Sequence, residues 1–319
     1  MSSRTAESYA RALRHKFAAP GVPRGSIARP RLDRLLHELF DTYSIVEVIA
    51  APGSGKTVAA QFFASRCGRQ LAWLTMDRSD ISASGLVFDL ATALGPLAGD
   101  AVNTMRQTLQ TTGTAEEAAA ILASSADGAD ALLVIDECQE IAASAEAASA
   151  LDIFLEYVPE RLRVLLLARE DLPWPLQKRY IHGQIAQIGD AALNLTFDET
   201  AECVRQLGAS PETAERIFAS TGGWAAGVAF ASRFGVGEEP NFRDLSSYFG
   251  HRVLSLLPEE EQRFLLDTSV TDVVTRDVAT ALCGPGGQRL WSAVSSRHLP
   301  ATSTTSSAIV IPSTATLSS

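Results

Sequence analysis

The amino-acid sequence predicts an α/β fold, in which a parallel sheet with covering helices is followed by small helical subdomains. Apolar strands alternate with helix-period segments in the first part of the chain, which is the pattern of a parallel sheet. The strands at 131–135 and 164–167 are apolar throughout, as strands covered on both faces are. After about residue 196, only helical periodicity remains. We expect an arm and helix over 1–40, a sheet-containing core over 41–195, a helical subdomain over 196–237, a second small subdomain over 238–298 and a disordered Ser/Thr-rich tail over 299–319.

The composition indicates a cytoplasmic globular protein and argues against several functional classes. With 46% hydrophobic residues, the 319-residue chain can bury one substantial core. No apolar run reaches the roughly 18 residues of a membrane span, and the segment 1–16 lacks the apolar core of a signal peptide. The net charge of -10 disfavours a broad basic surface for nucleic acid. The cysteines and histidines show neither C-x-x-C nor metal-ligand spacing, so we expect no zinc site and no disulfide framework.

The beginning of the chain is locally basic, in contrast to the acidic remainder. Only Glu7 and Asp33 oppose the basic residues of this arm, which are Arg4, Arg11, Arg14, Lys16, Arg24, Arg29, Arg31 and Arg34. The arm is either a solvated segment or a segment that partly closes over an anionic ligand. Prolines at 20, 23 and 30 predict an extended lead-in, and leucines at 32, 35, 36 and 39 predict a helix before the first strand.

The segment 50–57 matches the phosphate-binding P-loop, with alanine at the first position where the strict pattern has glycine. A β-branched strand over 44–49 precedes it and an amphipathic helix over 58–63 follows it, as the motif requires. The glycines let backbone N–H groups converge on phosphate oxygens. Lys56 is expected to reach the β- and γ-phosphates, and Thr57 to bind Mg²⁺. The residues expected to bind nucleotide here are Ala50, Pro52, Gly53, Ser54, Gly55, Lys56 and Thr57.

The apolar strand at 131–135 ends in two acidic residues, Asp136 and Glu137. We expect Asp136 to hold Mg²⁺, directly or through water, and Glu137 to polarise the attacking water as a general base. The alternative is a buried strand that ends in an acidic residue without any catalytic role. Together with the P-loop, this pair predicts Mg²⁺-dependent ATP hydrolysis.

Further elements complete the core. A strand at 71–75 and a helix at 81–94 lie between the P-loop and the acidic strand, and Arg169 closes the strand at 164–168. Arg169 either contacts the γ-phosphate at the sheet edge where ligands bind in open α/β folds, or forms a surface pair with Glu170 or Asp171. Tryptophans 73, 174 and 291 are interpreted as packing residues.

Taken together, these residues resemble the nucleotide-binding region of the MalT-like large LuxR-type transcriptional regulators, which are signal-transducing P-loop ATPases of the STAND class. The resemblance covers about residues 16–291 and implies a parallel-sheet P-loop NTPase core. It also makes the second small subdomain winged-helix-like, although the sequence leaves its completeness open. Besides the P-loop, the segments that carry the resemblance are 16–32, 73–77, 133–137, 166–173, 195–200, 221–227 and 264–270.

The resemblance implies a switch, in which ATP binding and slow hydrolysis convert a closed monomer into an open, self-associating state. The ligands would be ATP or ADP with Mg²⁺. DNA would be a partner only through a helix-turn-helix domain, and we expect this chain to lack both that domain and the family's sensor domain. Many relatives have proline where this chain has Ala225. The residues placed near the nucleotide are Gly223 and Trp224, and those on its adenine side are Ile27, Arg29 and Pro30.

Three functional hypotheses stay open at this point. The chain is a regulatory ATPase switch, a working ATPase whose hydrolysis is itself the output, or a non-functional remnant. The Ser/Thr-rich end after residue 291 is what a truncation or a frameshift would produce.

Overall fold

A computed structural model describes residues 15–77, 82–99, 101–110, 113–126, 128, 130–206, 208, 210–234, 257–268, 271, 273–295, 303–305 and 308–310. The described residues divide into two compact units. The first unit takes its residues from 15–22, 28–49 and 56–189, and the second from 23–27, 50–55 and 190–310. Of the helices in these ranges, none has the length and apolar character needed to cross a membrane.

The first unit is built on a five-stranded sheet in which every strand pair is parallel. The strands are β1 (Ile45–Ile49), β2 (Gln70–Thr75), β3 (Ala131–Asp136), β4 (Leu162–Ala168) and β5 (Ala186–Ile188). The spatial order of the sheet places β1 between β4 and β5, and β3 between β2 and β4. Parallel strands have their carboxyl ends along one edge of the sheet.

The sheet confirms four strands of the prediction and adds a fifth. β3 is buried along its whole length, and β4 is buried at every residue except Arg163, which is why both are continuously apolar. β1 is also fully buried, although it contains Glu47. The added strand, β5, spans only Ala186–Ile188, a length at which no periodicity can show.

Three described helices of the first unit confirm the predicted helical segments, and four further helices are not predicted individually. The lead-in leucines form a helix that buries Leu32, Leu36 and Phe40. The helix predicted over 81–94 begins at Ala83, because the Ser82 hydroxyl accepts a hydrogen bond from the Gly85 N–H at 3.0 Å and so caps it. The helices are α1 (Pro30–Thr42), α2 (Lys56–Ala64), α3 (Ala83–Ala98), α4 (Ala101–Gln110), α5 (Ala115–Ser125), α6 (Ala145–Glu156) and α7 (Trp174–Ile181).

The second unit contains a helical subdomain, which confirms the helical periodicity predicted after about residue 196. Its helices are α8 (Asp190–Leu193), α9 (Phe197–Gln206), α10 (Pro211–Thr221) and α11 (Ala225–Phe234). Their apolar faces share a buried core, to which Ile27 from the lead-in also contributes. The core residues are Ile27, Leu195, Cys203, Val204, Ala214, Ile217, Val228 and Ala231.

The second unit also contains a winged-helix subdomain with its own core. Its three strands, β6 (Val273–Thr275), β7 (Ser303–Thr305) and β8 (Ala308–Val310), form an antiparallel sheet in the order β6-β8-β7. The indole Nε1 of Trp291, a predicted packing residue, donates a hydrogen bond to the Val274 carbonyl oxygen at 2.9 Å inside this core. The elements are α12 (Glu259–Thr268), β6 (Val273–Thr275), α13 (Arg276–Cys283), α14 (Gly287–Ser295), β7 (Ser303–Thr305) and β8 (Ala308–Val310).

Strands β7 and β8 correct the prediction of a disordered tail over 299–319 for the residues that they contain. The apolar island around Ile309 cannot fold alone, but its backbone pairs with β6, a partner that local periodicity does not reveal. Other predictions lie outside the described residues. They concern Arg4, Glu7, Arg11, Arg14, Ile81, the start of the second small subdomain over 238–256, positions 269 and 270, and the rest of the tail.

Candidate functional site

The end of β3 and the start of α2 bring two predicted Mg²⁺ ligands together. The Thr57 hydroxyl donates a hydrogen bond to the Asp136 Oδ2 at 2.8 Å. Burial raises the pKa of the Asp136 carboxyl, as does the nearby negative charge of Glu137, whereas the hydrogen bond from Thr57 and the positive charge of Lys56 lower it. Lys56 itself is buried at the first position of α2.

These side chains fit a magnesium ion. Mg²⁺ prefers hard oxygen ligands and commonly takes only one or two carboxylates, with phosphate and water oxygens completing its shell. Within the described ranges, no group of three or more His, Cys, Asp and Glu side chains could hold a metal ion by itself. The hydroxyl of Thr57 and the carboxylate of Asp136 supply oxygen ligands of this kind and suit an ion that is shared with a nucleotide. Such an ion would neutralise phosphate charge.

Glu137 occupies an unusual backbone conformation immediately after β3. Its φ of 59° and ψ of 35° lie in the left-handed region, and among the described residues it is the one non-glycine with a positive φ. For a non-glycine residue, this conformation costs on the order of 1–3 kcal/mol and persists only where the surroundings enforce it. Here the Glu137 N–H donates to the Asp136 Oδ1 at 2.9 Å, and the Glu137 carbonyl accepts from the Glu140 N–H at 3.1 Å.

Both carboxylate oxygens of Glu137 accept hydrogen bonds. Its Oε1 accepts from the Arg169 Nη2 at 2.7 Å, and its Oε2 accepts from the Gln139 Nε2 at 2.6 Å. The other end of the Gln139 amide, Oε1, accepts from the Arg169 backbone N–H at 3.1 Å. Arg169 thus has a partner, Glu137, that sequence analysis does not foresee, and Gln139 is a site residue that sequence analysis misses.

In the second unit, the P-loop residues 50–55 are held through their main chain. Trp224 Nε1 donates to the Pro52 carbonyl oxygen at 3.1 Å, and the Ala226 N–H donates to the Gly53 carbonyl oxygen at 2.9 Å. On the other side of the loop, the Ala51 N–H donates to Asp190 Oδ1 at 2.8 Å. Asp190 begins α8. No sequence signal could have revealed its role, because it depends on a contact distant in sequence.

Close packing at the P-loop requires glycine at position 53. Gly53 has a φ of +75°, and a Cβ atom there would lie 2.7 Å from the Ala226 Cβ and 3.0 Å from the Trp224 ring. Gly55 is likewise left-handed, with a φ of 86°. Ser54 is buried, and its N–H donates to the Ala51 carbonyl oxygen at 3.2 Å. The loop is therefore a tight turn with little free volume behind Gly53.

The residues that the resemblance places near the nucleotide have clear local contacts. Gly223 has a φ of +79° and packs so closely on the backbone of Leu195 that a Cβ would overlap the Leu195 carbonyl. Ile27 is part of the helical-subdomain core. In the first unit, Arg29 is buried, and its carbonyl accepts from the Leu32 N–H at 2.9 Å at the start of α1, where Pro30 is the first residue. Their roles toward a nucleotide remain predictions.

Comparison with known families agrees with this fold and these motifs. The chain matches the AAA domain over residues 5–173 and the MalT winged helix domain over residues 250–308. The second match extends beyond residue 291, where sequence analysis ends the resemblance. Both matches agree with a MalT-like P-loop ATPase.

Individual proteins that are similar to this chain share only low sequence identity with it. The chain is 26% identical over 286 residues to the serine/threonine-protein kinase PknK of Mycobacterium tuberculosis, covering 83% of this chain but only 26% of the kinase. A Walker-type ATPase of Pyrococcus abyssi has a TM-score of 0.64 and 13% identity, with 92% of this chain and 96% of that chain covered.

A second solved structure has a related architecture. It is a signal transduction ATPase with numerous domains (STAND) that carries a tetratricopeptide repeat sensor, from Pyrococcus horikoshii. Its TM-score is 0.52 at 13% identity, and the superposition covers 92% of this chain and 42% of that one. At these identities the two structures establish the fold. Because the AAA domain match spans more than half of the sequence, this chain belongs to the AAA domain family of P-loop ATPases.

Proposed function

We propose that this chain is the ATP-operated switch module of a MalT-like, LuxR-type transcriptional regulator. It binds ATP or ADP with Mg²⁺, hydrolyses ATP slowly, and reports the bound nucleotide through its helical subdomain. The observation that carries the proposal is a pair of hydrogen bonds to the P-loop from Trp224, which precedes α11, and Ala226, which lies in the first turn of α11. The Trp224 indole and the Ala226 N–H donate to consecutive P-loop carbonyls at 3.1 and 2.9 Å.

These two hydrogen bonds connect the nucleotide-binding loop directly to the helical subdomain. A phosphate that draws the N–H groups of Gly53, Ser54 and Gly55 toward itself also moves the carbonyls of the same peptide units. Those carbonyls are the acceptors for Trp224 and Ala226, so ATP and ADP that position the loop differently favour different arrangements of α11. A ligand shifts a conformational equilibrium only by such differential interactions.

The remaining residues supply binding and hydrolysis. Lys56 contributes a positive charge to the β- and γ-phosphates, and Thr57 and Asp136 hold Mg²⁺. Glu137 orients and polarises the attacking water. Arg169 exchanges its ion pair with Glu137 for the γ-phosphate, an exchange that costs little because the arginine side chain is 40% exposed.

Regulatory partners follow from the resemblance. The STAND neighbour carries a repeat sensor, and we propose that the present module is likewise coupled to sensing, with nucleotide-dependent self-association as the output. DNA binding belongs to a helix-turn-helix domain in the resembling regulators and is not proposed for these residues.

Nucleotide titrations with a hydrolysis assay test the proposal. We expect Mg-ATP and Mg-ADP to raise the melting temperature, since a ligand of the native state stabilises it, and to change the tryptophan emission of the wild type differently. The emission change should be lost in Trp224→Phe, and all nucleotide effects should be lost in Lys56→Ala. Hydrolysis should be far slower than the about 10 s⁻¹ of a median enzyme.

Other outcomes select the other hypotheses. Turnover of several ATP per second, with identical emission in ATP and ADP, would identify a working ATPase and contradict the switch. Aggregation on expression, with no thermal shift on adding Mg-ATP, would identify a non-functional remnant. Wild-type affinity in Lys56→Ala would contradict the P-loop as the binding site.

A further inference from the structure

The Gln139 side chain forms hydrogen bonds with both Glu137 and Arg169 at the carboxyl edge of the sheet. It lies in a 3₁₀ turn over Cys138–Ala143 that follows β3 directly. Its Nε2 donates to the Glu137 Oε2 at 2.6 Å, and its Oε1 accepts from the Arg169 backbone N–H at 3.1 Å. A single neutral amide therefore spans from the end of β3 to the end of β4.

We propose that Gln139 is the positioning residue that keeps the Glu137 carboxylate oriented for hydrolysis when Arg169 engages the γ-phosphate. The proposal rests on the proposed function, in which Glu137 polarises the attacking water. It adds a residue to which neither the motifs nor the resemblance assigns a role.

The two partners of Glu137 differ in what they can do. Arg169 carries a charge, is 40% exposed and approaches the carboxylate with its guanidinium, so a phosphate group competes directly for it. Gln139 carries no charge, and its amide is held at both ends by hydrogen bonds. When the guanidinium leaves, one carboxylate oxygen becomes available to a water molecule, while the other oxygen stays fixed by Gln139.

The backbone of Glu137 makes this support necessary. A residue held in the left-handed region is strained and relaxes unless its surroundings enforce the conformation. Loss of the arginine contact removes one of the interactions that hold the side chain, and the amide of Gln139 retains the other. A general base must stay within hydrogen-bonding reach of the proton that it accepts, so the orientation of this carboxylate directly affects the rate.

Two substitutions test the hydrogen bonds made by the two ends of the Gln139 side-chain amide. Gln139→Met keeps the length of the side chain and removes both hydrogen bonds. Gln139→Glu keeps an acceptor for the Arg169 N–H but replaces the donor to Glu137 by a like charge. We expect both variants to lower kcat for Mg-ATP hydrolysis about tenfold, and KM and the Kd for Mg-ATP to stay within about twofold, because an interaction made through the base affects chemistry and not binding.

A double-mutant cycle with Glu137→Gln distinguishes positioning from a structural role. If Gln139 acts through Glu137, then Gln139→Met should change kcat less than about twofold in the Glu137→Gln background. Gln206→Ala is the matched control, because Gln206 Nε2 also donates to a glutamate, Glu202 Oε1, at 2.9 Å on α9. This control should keep the wild-type kcat, and melting temperatures with and without Mg-ATP report folding and binding for each variant.

The outcomes are distinct. A wild-type kcat in Gln139→Glu would overturn the proposal, since it would show that only the Arg169 contact matters. An equal loss in the wild-type and Glu137→Gln backgrounds would also overturn it, in favour of a structural role. If the wild type neither binds nor hydrolyses Mg-ATP, the proposed function fails and this inference fails with it. If the wild type does both, a negative result concerns Gln139 alone.

Discussion

The P-loop and the acidic end of β3 are held in contrasting ways. The P-loop is held through its main chain, with Pro52 and Gly53 carbonyls and the Ala51 N–H as the bonded groups. The acidic end is held through side chains, with carboxylate, hydroxyl, guanidinium and amide groups as partners. The tightly packed P-loop should be sensitive to added side-chain volume, whereas the side-chain network should be sensitive to changes of charge and of hydrogen-bonding groups. Substitutions in the two regions should therefore impair the protein for different reasons.

Added volume at the P-loop should have the largest effect. Gly53→Ala places a methyl group 2.7 Å from the Ala226 Cβ at a φ of +75°, so the loop must shift away from its present path. We expect the Kd for Mg-ATP to rise about a thousandfold, roughly 4 kcal/mol, measured by calorimetric titration.

Gly68→Ala is the matched control for Gly53→Ala. Gly68 has nearly the same φ of +73° but nothing within 4 Å of an added Cβ. It isolates the backbone strain of a left-handed alanine, about 1–2 kcal/mol, and should leave the nucleotide Kd unchanged. Equal affinities of the two variants would show that volume at Gly53 is not what the loop depends on.

A buried charge in β1 should have the next largest effect. Glu47 is 3% exposed, and its Oε2 accepts from Gln187 Nε2 at 3.0 Å. Burial raises the pKa of the Glu47 carboxyl from its ordinary value of 4.5 to about 7, and Asp171 adds to this, while the hydrogen bond from Gln187 opposes it. Unlike Glu137, this glutamate has an amide partner but no arginine partner among the residues that the structure describes.

The pH dependence of Glu47→Gln follows from that pKa. Below about pH 4.5 both the folded and the unfolded states are protonated at Glu47, so the carboxyl costs nothing. Between about pH 4.5 and 7 the unfolded state ionises first, and the cost to the folded state grows as the pH rises. Above this window the cost reaches about 3 kcal/mol.

We therefore expect Glu47→Gln to raise the free energy of unfolding by about 3 kcal/mol at pH 8 and by almost nothing at pH 4. Urea unfolding at the two pH values measures this difference. An equal effect at both pH values would show that the change arises from packing and not from the ionisation of Glu47.

At the acidic end of β3, two substitutions of Glu137 distinguish the effect of losing its carboxylate from the effect of its backbone strain. Glu137→Gly removes the carboxylate and suits the left-handed φ of 59°. Glu137→Ala removes the carboxylate and keeps the strain. We expect both to lower kcat about a hundredfold, the usual scale for a general base.

Stability should distinguish the two variants of Glu137. Glu137→Gly should be about 1 kcal/mol more stable to urea than Glu137→Ala, because glycine adopts the left-handed conformation without a Cβ penalty. Equal stabilities would mean that the backbone conformation of residue 137 relaxes when its side chain is lost.

The sequence predicts the parts of the fold that depend on local patterns. β3 and β4 are mainly apolar runs, β1 is rich in β-branched residues, the P-loop has a spaced motif, and the predicted helices have apolar faces. The burial of each strand follows from its own residues. Local pattern therefore predicts four of the five strands of the α/β unit.

The sequence does not predict features that depend on contacts between distant segments. Asp190 bonds to Ala51, and Gln139 bonds to Arg169, but neither residue lies in a motif that specifies its partner. β8 pairs with β6 although the tail lacks apolar density. Arg169 illustrates the same limit, because its predicted partners are sequence neighbours and its ion pair with Glu137 crosses from β4 to β3.

The smallest predicted effect tests a single hydrogen bond to the P-loop. Trp224→Phe keeps an aromatic ring but removes the Nε1 donor to the Pro52 carbonyl. We expect a loss of about 1 kcal/mol in the free energy of unfolding, typical for one hydrogen bond, and a three- to tenfold change in the Kd for Mg-ATP. Trp291→Phe is the matched control, because Trp291 Nε1 donates to the Val274 carbonyl oxygen at 2.9 Å in the winged-helix core. The control should lose similar stability and leave the nucleotide Kd unchanged. Equal changes in Kd for the two variants would mean that the Trp224 contact affects nucleotide binding only through general stability. That result would contradict a role of the hydrogen bond from Trp224 to Pro52 in the switch.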